Sequence, residues 1–477
     1  MVVKEFPIYV AGKFVKSRQR LEVLNPYNDR PVGLTFSATK QQLEQATKAA
    51  VKTFEITRKM GVYERVAIFD QLIAGLTKKQ KAFARMISLE SAKPIKDAEV
   101  EAMRAINVLT LAKEEAKRIA GEVLDLDLLA SSDGRWGIVK RFPVGPVAGI
   151  SPFNYPLNLA IHKVAPTIAA GCTLVLKVPS RTPLTMMMFA ELIDDTNLPK
   201  GAISIMAMDR KVGDALVTDD RFKLLSFTGS PAVGWKMKER SGKKKVVLEL
   251  GGNAGALVDE SADIKWAAKR LVVGAFSFSG QICISTQRLF VHKNVYDKFV
   301  SEYIKLVKKI KLGNPIDPQT QVGPMIEAGA VKRTEKWVNE AIKSGSKVLT
   351  GGKANGKFFE PTVLDRPKPS LAICSEEAFA PVVNLYPVNS FTEGIKNINN
   401  SAFGLQAGVF TNSFEHINYA FQELEVGGVV INDVPGYRID HMPYGGVKDS
   451  GLGREGLKYS IEDMTELRLM VLNNKTS

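Results

Sequence analysis

Residues 246–288 read VVLELGGNAGALVDESADIKWAAKRLVVGAFSFSGQICISTQR, and the rest of the chain is organised around them. A β-branched run ends at Glu249, just before Gly251 and Gly252, and a Gly/Ser-rich turn later in the stretch carries Cys283. A carboxylate and a thiol, each framed by glycine, suggest a general base and a nucleophile facing one bound substrate. Taken alone, a free cysteine with a pKa of about 8.5 is mostly protonated and reads as a buried, inert thiol, a reading that also fits Cys172 and Cys374. The small residues of SFSGQICIS offer Cys283 backbone N–H groups at a helix start, which would hold it as an anion.

Outward from this stretch the chain alternates strand and helix. Upstream, CTLVLKV and KLLSFTG are β-rich runs separated by helical segments, the pattern of a parallel sheet with crossover helices. The same alternation resumes after residue 250, which implies a second α/β domain. Residues 6–36 read as short strands and turns. Residues 38–121 read as helices: the first is capped by Ser37 or Thr39, the next is stopped by Pro94, and the last ends at Gly121. The strand-like segment 122–143 forms a hairpin with few partners of its own, and the tail YSIEDMTELRLMVLNN would join it. Such a projecting arm would pair with another subunit.

At 477 residues the chain exceeds one hydrophobic core, and 45% hydrophobic with 24% charged residues is ordinary for a soluble globular protein. The net charge of +15 would attract polyanions, but the lysines at 78–81, 243–245 and 305–311 are spread along helices without interleaved aromatics. They read as a solvated surface and not as a nucleic-acid site. Three widely spaced cysteines give neither a disulfide framework nor a metal-ligand spacing and point to a reducing, cytoplasmic compartment. The N-terminus lacks the apolar core of a signal peptide, and the longest apolar region, 155–177, is broken by His162 and Lys163, so no membrane span is expected.

Seven motifs in order change the odds for Cys283: SPFNYP at 151–156, LKVPSRTP at 176–183, FTGSPAVG at 227–234, LELGGN at 248–253, FSGQICIS at 278–285, EEAFAP at 376–381 and PYGGVKDSGLGREG at 443–456. Together they resemble the aldehyde dehydrogenase superfamily over nearly the whole chain. The resemblance implies an α/β fold with a Rossmann-type cofactor domain (1–121 and 144–249), an α/β catalytic domain (250–458) and a β oligomerisation arm (122–143 and 459–477) that makes a homodimer or homotetramer. It implies that Cys283 attacks an aldehyde carbon to give a thiohemiacetal, with the Asn154 amide and the Cys283 backbone N–H receiving the oxyanion. Hydride then leaves to NAD or NADP, and Glu249 activates the water that releases the acid. The glutamate favours hydrolysis over acyl transfer to coenzyme A.

For the dinucleotide, no strand-bound GxGxxG is present. The resemblance instead assigns Ser151, Pro152, Phe153, Gly213, Phe227, Thr228, Gly229, Ser230, Gly234, Leu250 and Gly251 to the cofactor cleft, with Gly229 and Ser230 near the pyrophosphate at a helix N-terminus. Lys177 would bond the adenosine ribose, and Glu377 and Phe379 would hold the nicotinamide ribose and ring. Two departures stand out. Ala380 replaces the glycine of the usual EEXFGP, and Ser180 with Arg181 stands where NAD-specific members often carry a glutamate, which favours NADP over NAD. Arg104, His162, Arg288, Arg438 and His441 are candidates for the substrate entrance, where cations would suit a small hydroxy-, phospho- or carboxy-aldehyde of the lactaldehyde or glyceraldehyde type. Arg104 would alternatively pair with Glu99 or Glu101. Glu455 is a candidate second acid/base, and Arg454 with Glu466 a structural ion pair. A succinate-type semialdehyde dehydrogenase and a non-catalytic binding protein of the same fold are the competing readings.

Overall fold

The computed structural model describes residues 3–474. Residues 1–2 and 475–477, the extremes of the expected cofactor-domain and arm segments, lie outside the described residues. Two large sheets and one small one carry the architecture. In the first, five parallel strands lie in the order Ile203–Ala207, Thr173–Val178, Pro146–Ile150, Leu224–Thr228, Lys245–Glu249. The chain enters at the middle strand, winds outward to one side and then to the other. The reversal between Pro146–Ile150 and Leu224–Thr228 is therefore the switch point at which α/β sheets open a ligand crevice.

The second sheet has seven strands, with Ala254–Val258 parallel to both Thr286–His292 and Gln406–Phe410. Residues 250–253 are all that joins the two sheets at this point. A return crossing comes late in the chain, where Gly451–Leu452 adds antiparallel to Lys245–Glu249. Glu249, at the carboxyl edge of the first sheet, thus faces the turn before Thr286–His292, at the amino edge of the second.

The helices follow local chemistry. Thr39 is the cap: its Oγ1 accepts the Gln42 N–H at 3.2 Å, and Gln42 Oε1 accepts the Thr39 N–H at 2.9 Å. The helix Val62–Ser91 stops at Ala92, which is left-handed at φ 60, and Pro94 caps the next helix, Ile95–Ala116. That helix ends short of the expected Gly121, because the chain leaves it for the strand Glu122–Asp125. This strand, Arg135–Pro143 and the tail Thr465–Asn473 form the third sheet, with the tail paired antiparallel from Thr465↔Pro143 to Asn473↔Arg135. Among the described residues, no helix is long and apolar enough to cross a membrane.

Candidate active site

A cleft of about 400 Å³ runs between the facing edges of the two large sheets and reaches Asn154, Glu249 and Cys283. Backbone contact brings the carboxylate and the thiol together. A Cβ on Gly252 would stand 2.2 Å from the Cys283 carbonyl oxygen, so only glycine permits this approach. The nucleophile turn is not the helix start expected from SFSGQICIS. Phe278, Ser279 and Gly280 are successively left-handed (φ 46, 57 and 69), a conformation that costs about 1 kcal/mol or more per non-glycine residue. Packing holds it: Phe278 and Ser279 are buried, Ser279 Oγ donates to the Gly323 carbonyl at 2.7 Å, and Gln281 Oε1 accepts the Ile326 N–H at 3.0 Å.

Cys283 Sγ lies 3.1 Å from the Tyr444 hydroxyl, and burial pushes the thiol up to about 12 despite that contact. No helix N-terminus relieves it. Asn154 is buried in the loop after strand Pro146–Ile150 and donates from Nδ2 to the Gln281 carbonyl at 2.9 Å. The loop is fixed behind by Glu101, which accepts the N–H groups of Leu157 and Asn158 at 3.0 and 3.1 Å and pairs with buried Lys93. Glu249 is buried with neither oxygen bonded to protein. Burial, and then its neighbour Glu455, push it well above the ordinary carboxyl range, against the pull of Arg438 and Lys163.

On the other side of the cleft, the helix Pro231–Arg240 begins directly after Gly229, with Ser230 as an N-cap whose side chain makes no capping bond. A Cβ on Gly229 would meet the Phe227 ring at 2.5 Å, one on Gly234 would meet Leu250 at 2.4 Å, and one on Gly251 would meet the Glu377 carboxylate at 2.5 Å. These glycines keep the floor low above Phe227 and Leu250. Glu377 accepts the Gly252 N–H at 2.9 Å, and burial raises it to about 7. Phe379 is left-handed at φ 48, with its ring edge-on to Phe153 at 5.9 Å. Ala380 is not left-handed, so its methyl carries no backbone penalty, and the departure from EEXFGP is absorbed there. Lys177 packs over Gly213, where a Cβ would stand 3.0 Å from its Cδ.

The model of the family described as "Aldehyde dehydrogenase family" matches residues 14–470. The chain belongs to the aldehyde dehydrogenase family. It is 40% identical over 472 residues to the 3-sulfolactaldehyde dehydrogenase of Priestia aryabhattai, covering 99% of this chain and 98% of that one. Among solved structures, aldehyde dehydrogenase 21 from Physcomitrella patens in complex with the reaction product succinate is similar, with TM-score 0.97, 45% identity and 99% of each chain covered. So is the NADP-dependent glyceraldehyde-3-phosphate dehydrogenase from Bacillus halodurans complexed with NADP, with TM-score 0.95, 33% identity, and 99% and 100% covered. The chain is an NAD(P)-dependent aldehyde dehydrogenase, and its cleft fits the dinucleotide. The glycine floor leaves room, the open N-terminus of Pro231–Arg240 suits phosphate, and Glu377 is a half-buried acceptor with one protein donor among the described residues.

Arg288, His162, Arg104, Arg454 and Glu466 of this dehydrogenase lie where the sequence did not put them. Arg288 is away from the catalytic cleft: its donors go to the carbonyls of Asn253, Asn397, Ile398 and Asn400, because it pins that loop to the second sheet. His162 is buried and shares Asp440 (3.0 Å) with Arg104, which bonds that carboxylate through both Nε and an Nη (3.2 and 2.6 Å) and not Glu99 or Glu101. Arg454 donates to the carbonyls of Gly446 and Gly453, while Glu466 pairs with Lys245. Arg181 is exposed and bridged to Glu327 at 2.7 Å across the cleft mouth, and Ser180 is exposed beside it. His441 is exposed. Arg438 lies one side chain behind the nucleophile: its guanidinium is 3.7 Å above the ring of Tyr444, it bonds Glu455 at 3.0 Å, and its buried Nε has no acceptor among the described residues.

Sequence reasoning missed Tyr444, Lys163 and Arg333. Lys163 Nζ lies 3.5 Å from Glu455 and donates to Ser226 Oγ and Thr228 Oγ1, and Arg333 lines the cleft. The signal for Lys163 was present, since it interrupts an apolar run. Tyr444 stood inside a quoted motif.

Proposed function

We propose that this enzyme oxidises a small aldehyde carrying one negative charge at its far end, a carboxylate or a sulfonate, to the corresponding acid. The observation that carries the reading is Arg438: a cation stacked on the Tyr444 ring beside the nucleophile, with a buried Nε–H that no described residue accepts. Its other charge partner is Glu455, and Arg104 is matched by Asp440, so the wall suits a monoanion better than a doubly charged phosphate. Two relatives support it, one named for 3-sulfolactaldehyde and one holding succinate.

In this reading Cys283, as thiolate, bonds the carbonyl carbon, and the oxygen takes up the negative charge that Asn154 and the Cys283 N–H receive. A nicotinamide bound in the cleft beside Glu377 and Phe379 would supply the acceptor for the hydride that leaves that carbon. Glu249 then takes a proton from water, the hydroxide adds to the thioester, and the C–S bond breaks to return the thiolate and release the acid. Ser151, Pro152, Phe153, Lys177, Gly213, Thr228, Ser230, Glu377 and Phe379 hold the cofactor. Ser180 and Arg181 favour NADP, with Arg181 exchanging Glu327 for the 2′-phosphate. The exposed edge of the tail strand supports a homodimer or homotetramer, and three free cysteines support a reducing, cytoplasmic location.

The test is an aldehyde panel (succinic semialdehyde, 3-sulfolactaldehyde, lactaldehyde and propanal) with each cofactor, followed by reduced-nicotinamide absorbance. The two anionic aldehydes are expected to exceed propanal in kcat/KM by at least about tenfold, and Arg438→Met to remove that preference, the scale of one hydrogen bond to a charged group. Equal kcat/KM for propanal would overturn the substrate class.

A further inference from the structure

We propose that Tyr444 is a catalytic residue of this dehydrogenase: its hydroxyl, 3.1 Å from Cys283 Sγ, donates to the sulfur and stabilises the thiolate before attack. The inference rests on Cys283 being the nucleophile.

The ring is immobilised. Tyr444 is 3% exposed, its N–H donates to the Glu455 carbonyl at 2.9 Å, and its carbonyl accepts the Glu455 N–H at 2.6 Å. Above the ring lies the Arg438 guanidinium, itself held by Glu455, whose carboxylate also faces Lys163 at 3.5 Å. Apolar Ile282, Ile284 and Leu405 pack around it. A phenylalanine would satisfy all of this packing. The hydroxyl needs a separate account, because a buried O–H must find an acceptor. Among the described residues the sulfur is its only hydrogen-bond partner.

While Cys283 is a thiol, either group can donate. Once the thiol proton has passed to solvent, which half-buried Cys283 reaches, the sulfur is an acceptor only and the phenol must donate. The bond then becomes charge-assisted, about twice the strength of a neutral one. Tyr444 keeps its own proton throughout. The guanidinium over the ring draws electron density from it and makes the phenol a better donor.

The other charged or titratable groups facing the sulfur are Glu249 and Glu377, which oppose the thiolate, Arg438, which favours it, and neutral Tyr155. Two carboxyls and a buried setting stand against the anion. The hydroxyl and Arg438 are what this pocket sets against them, and the hydroxyl is the one in contact.

The experiment measures alkylation of Cys283 by iodoacetamide in the full-length enzyme without cofactor, from pH 6 to 11, by mass spectrometry of the Cys283 peptide. Tyr444→Phe keeps the ring and removes the donor. With the thiol pushed up to about 12, alkylation rises with pH across this whole range, and the variant should slow it about tenfold at each pH, a curve displaced up by about one pH unit. The acid limb of kcat/KM should move up with it. The opposite arm incorporates 3-fluorotyrosine at position 444. This more acidic phenol should speed alkylation and displace the curve down, and it keeps the fold should the phenylalanine variant prove unstable. A curve unmoved in both arms overturns the proposal. Cys283→Ala separates the two readings, because turnover that survives it refutes the nucleophile assignment whatever Tyr444 does.

Discussion

Glu377 shows how a single side chain carries a pH dependence that its motif does not announce. Burial holds it up at about 7 from an ordinary value of 4.5, so near neutrality it passes from a weak acceptor to a charged one. As an acid with a raised folded pKa it is neutral below 7 and ionised above, and the ionised form binds ribose hydroxyls more strongly. Affinity for NAD, which lacks a titrating 2′-phosphate, should therefore rise about fivefold between pH 6 and 8, and Glu377→Gln should flatten that rise. Fluorescence titration checks it, and a pH-independent wild type would count against Glu377 as the ribose acceptor. At this scale the meeting of Cys283 and Glu249 was partly legible, because Gly252 beside the glutamate permits the backbone approach to the Cys283 carbonyl, whereas Asn154 stands in SPFNYP, which has no glycine to announce it. Arg288 and His162 were not legible. A side chain's sequence position does not reveal its direction, and both point toward partners that the fold brings from far along the chain.

Elements bring those acceptors. Arg288, in the strand Thr286–His292, reaches carbonyls of the segment 397–400 at the end of the helix Phe391–Asn399. Arg288→Met strips its donors from the buried carbonyls of Asn253 and Ile398, and should cost roughly 3 kcal/mol in chemical denaturation while leaving the aldehyde KM of the folded protein unchanged. A raised KM at wild-type stability would instead restore Arg288 to the entrance. Helix and strand existence was readable from periodicity, and the first cap was narrowed to Ser37 or Thr39, between which the two Gln42 bonds decide. The helix end at Ala116 was not readable, because no glycine or proline marks it and the departure follows from pairing of the next strand. Nor was the left-handed run before Cys283: Phe278 and Ser279 adopt a conformation that their residue types disfavour, and only surrounding packing selects it.

For the whole molecule, strand order and the exposed arm decide more than composition does. Among the described residues the tail strand Thr465–Asn473 pairs with another strand on one side only, and Leu467, Leu469 and Val471 on it are at least half exposed, an arrangement that soluble proteins cover. Leu469→Lys with Val471→Lys should reduce the proposed oligomer to monomers on size-exclusion chromatography with light scattering. A monomeric wild type would dispose of the proposed oligomer. The alternation of elements disclosed two α/β layers from sequence, but not that the strand Gly451–Leu452, from near the chain's end, returns to the first sheet.

That return has a practical meaning for anyone recombining such enzymes. The base ends a strand of one sheet, the nucleophile precedes a strand of the other, and the tether between the sheets is only residues 250–253, with Gly252 seated against the Cys283 carbonyl. A chimera spliced at this tether would also sever Gly451–Leu452 from the sheet it completes. The two halves are thus not interchangeable cassettes. A workable exchange must transplant the tether, the nucleophile turn and the late strand as one unit.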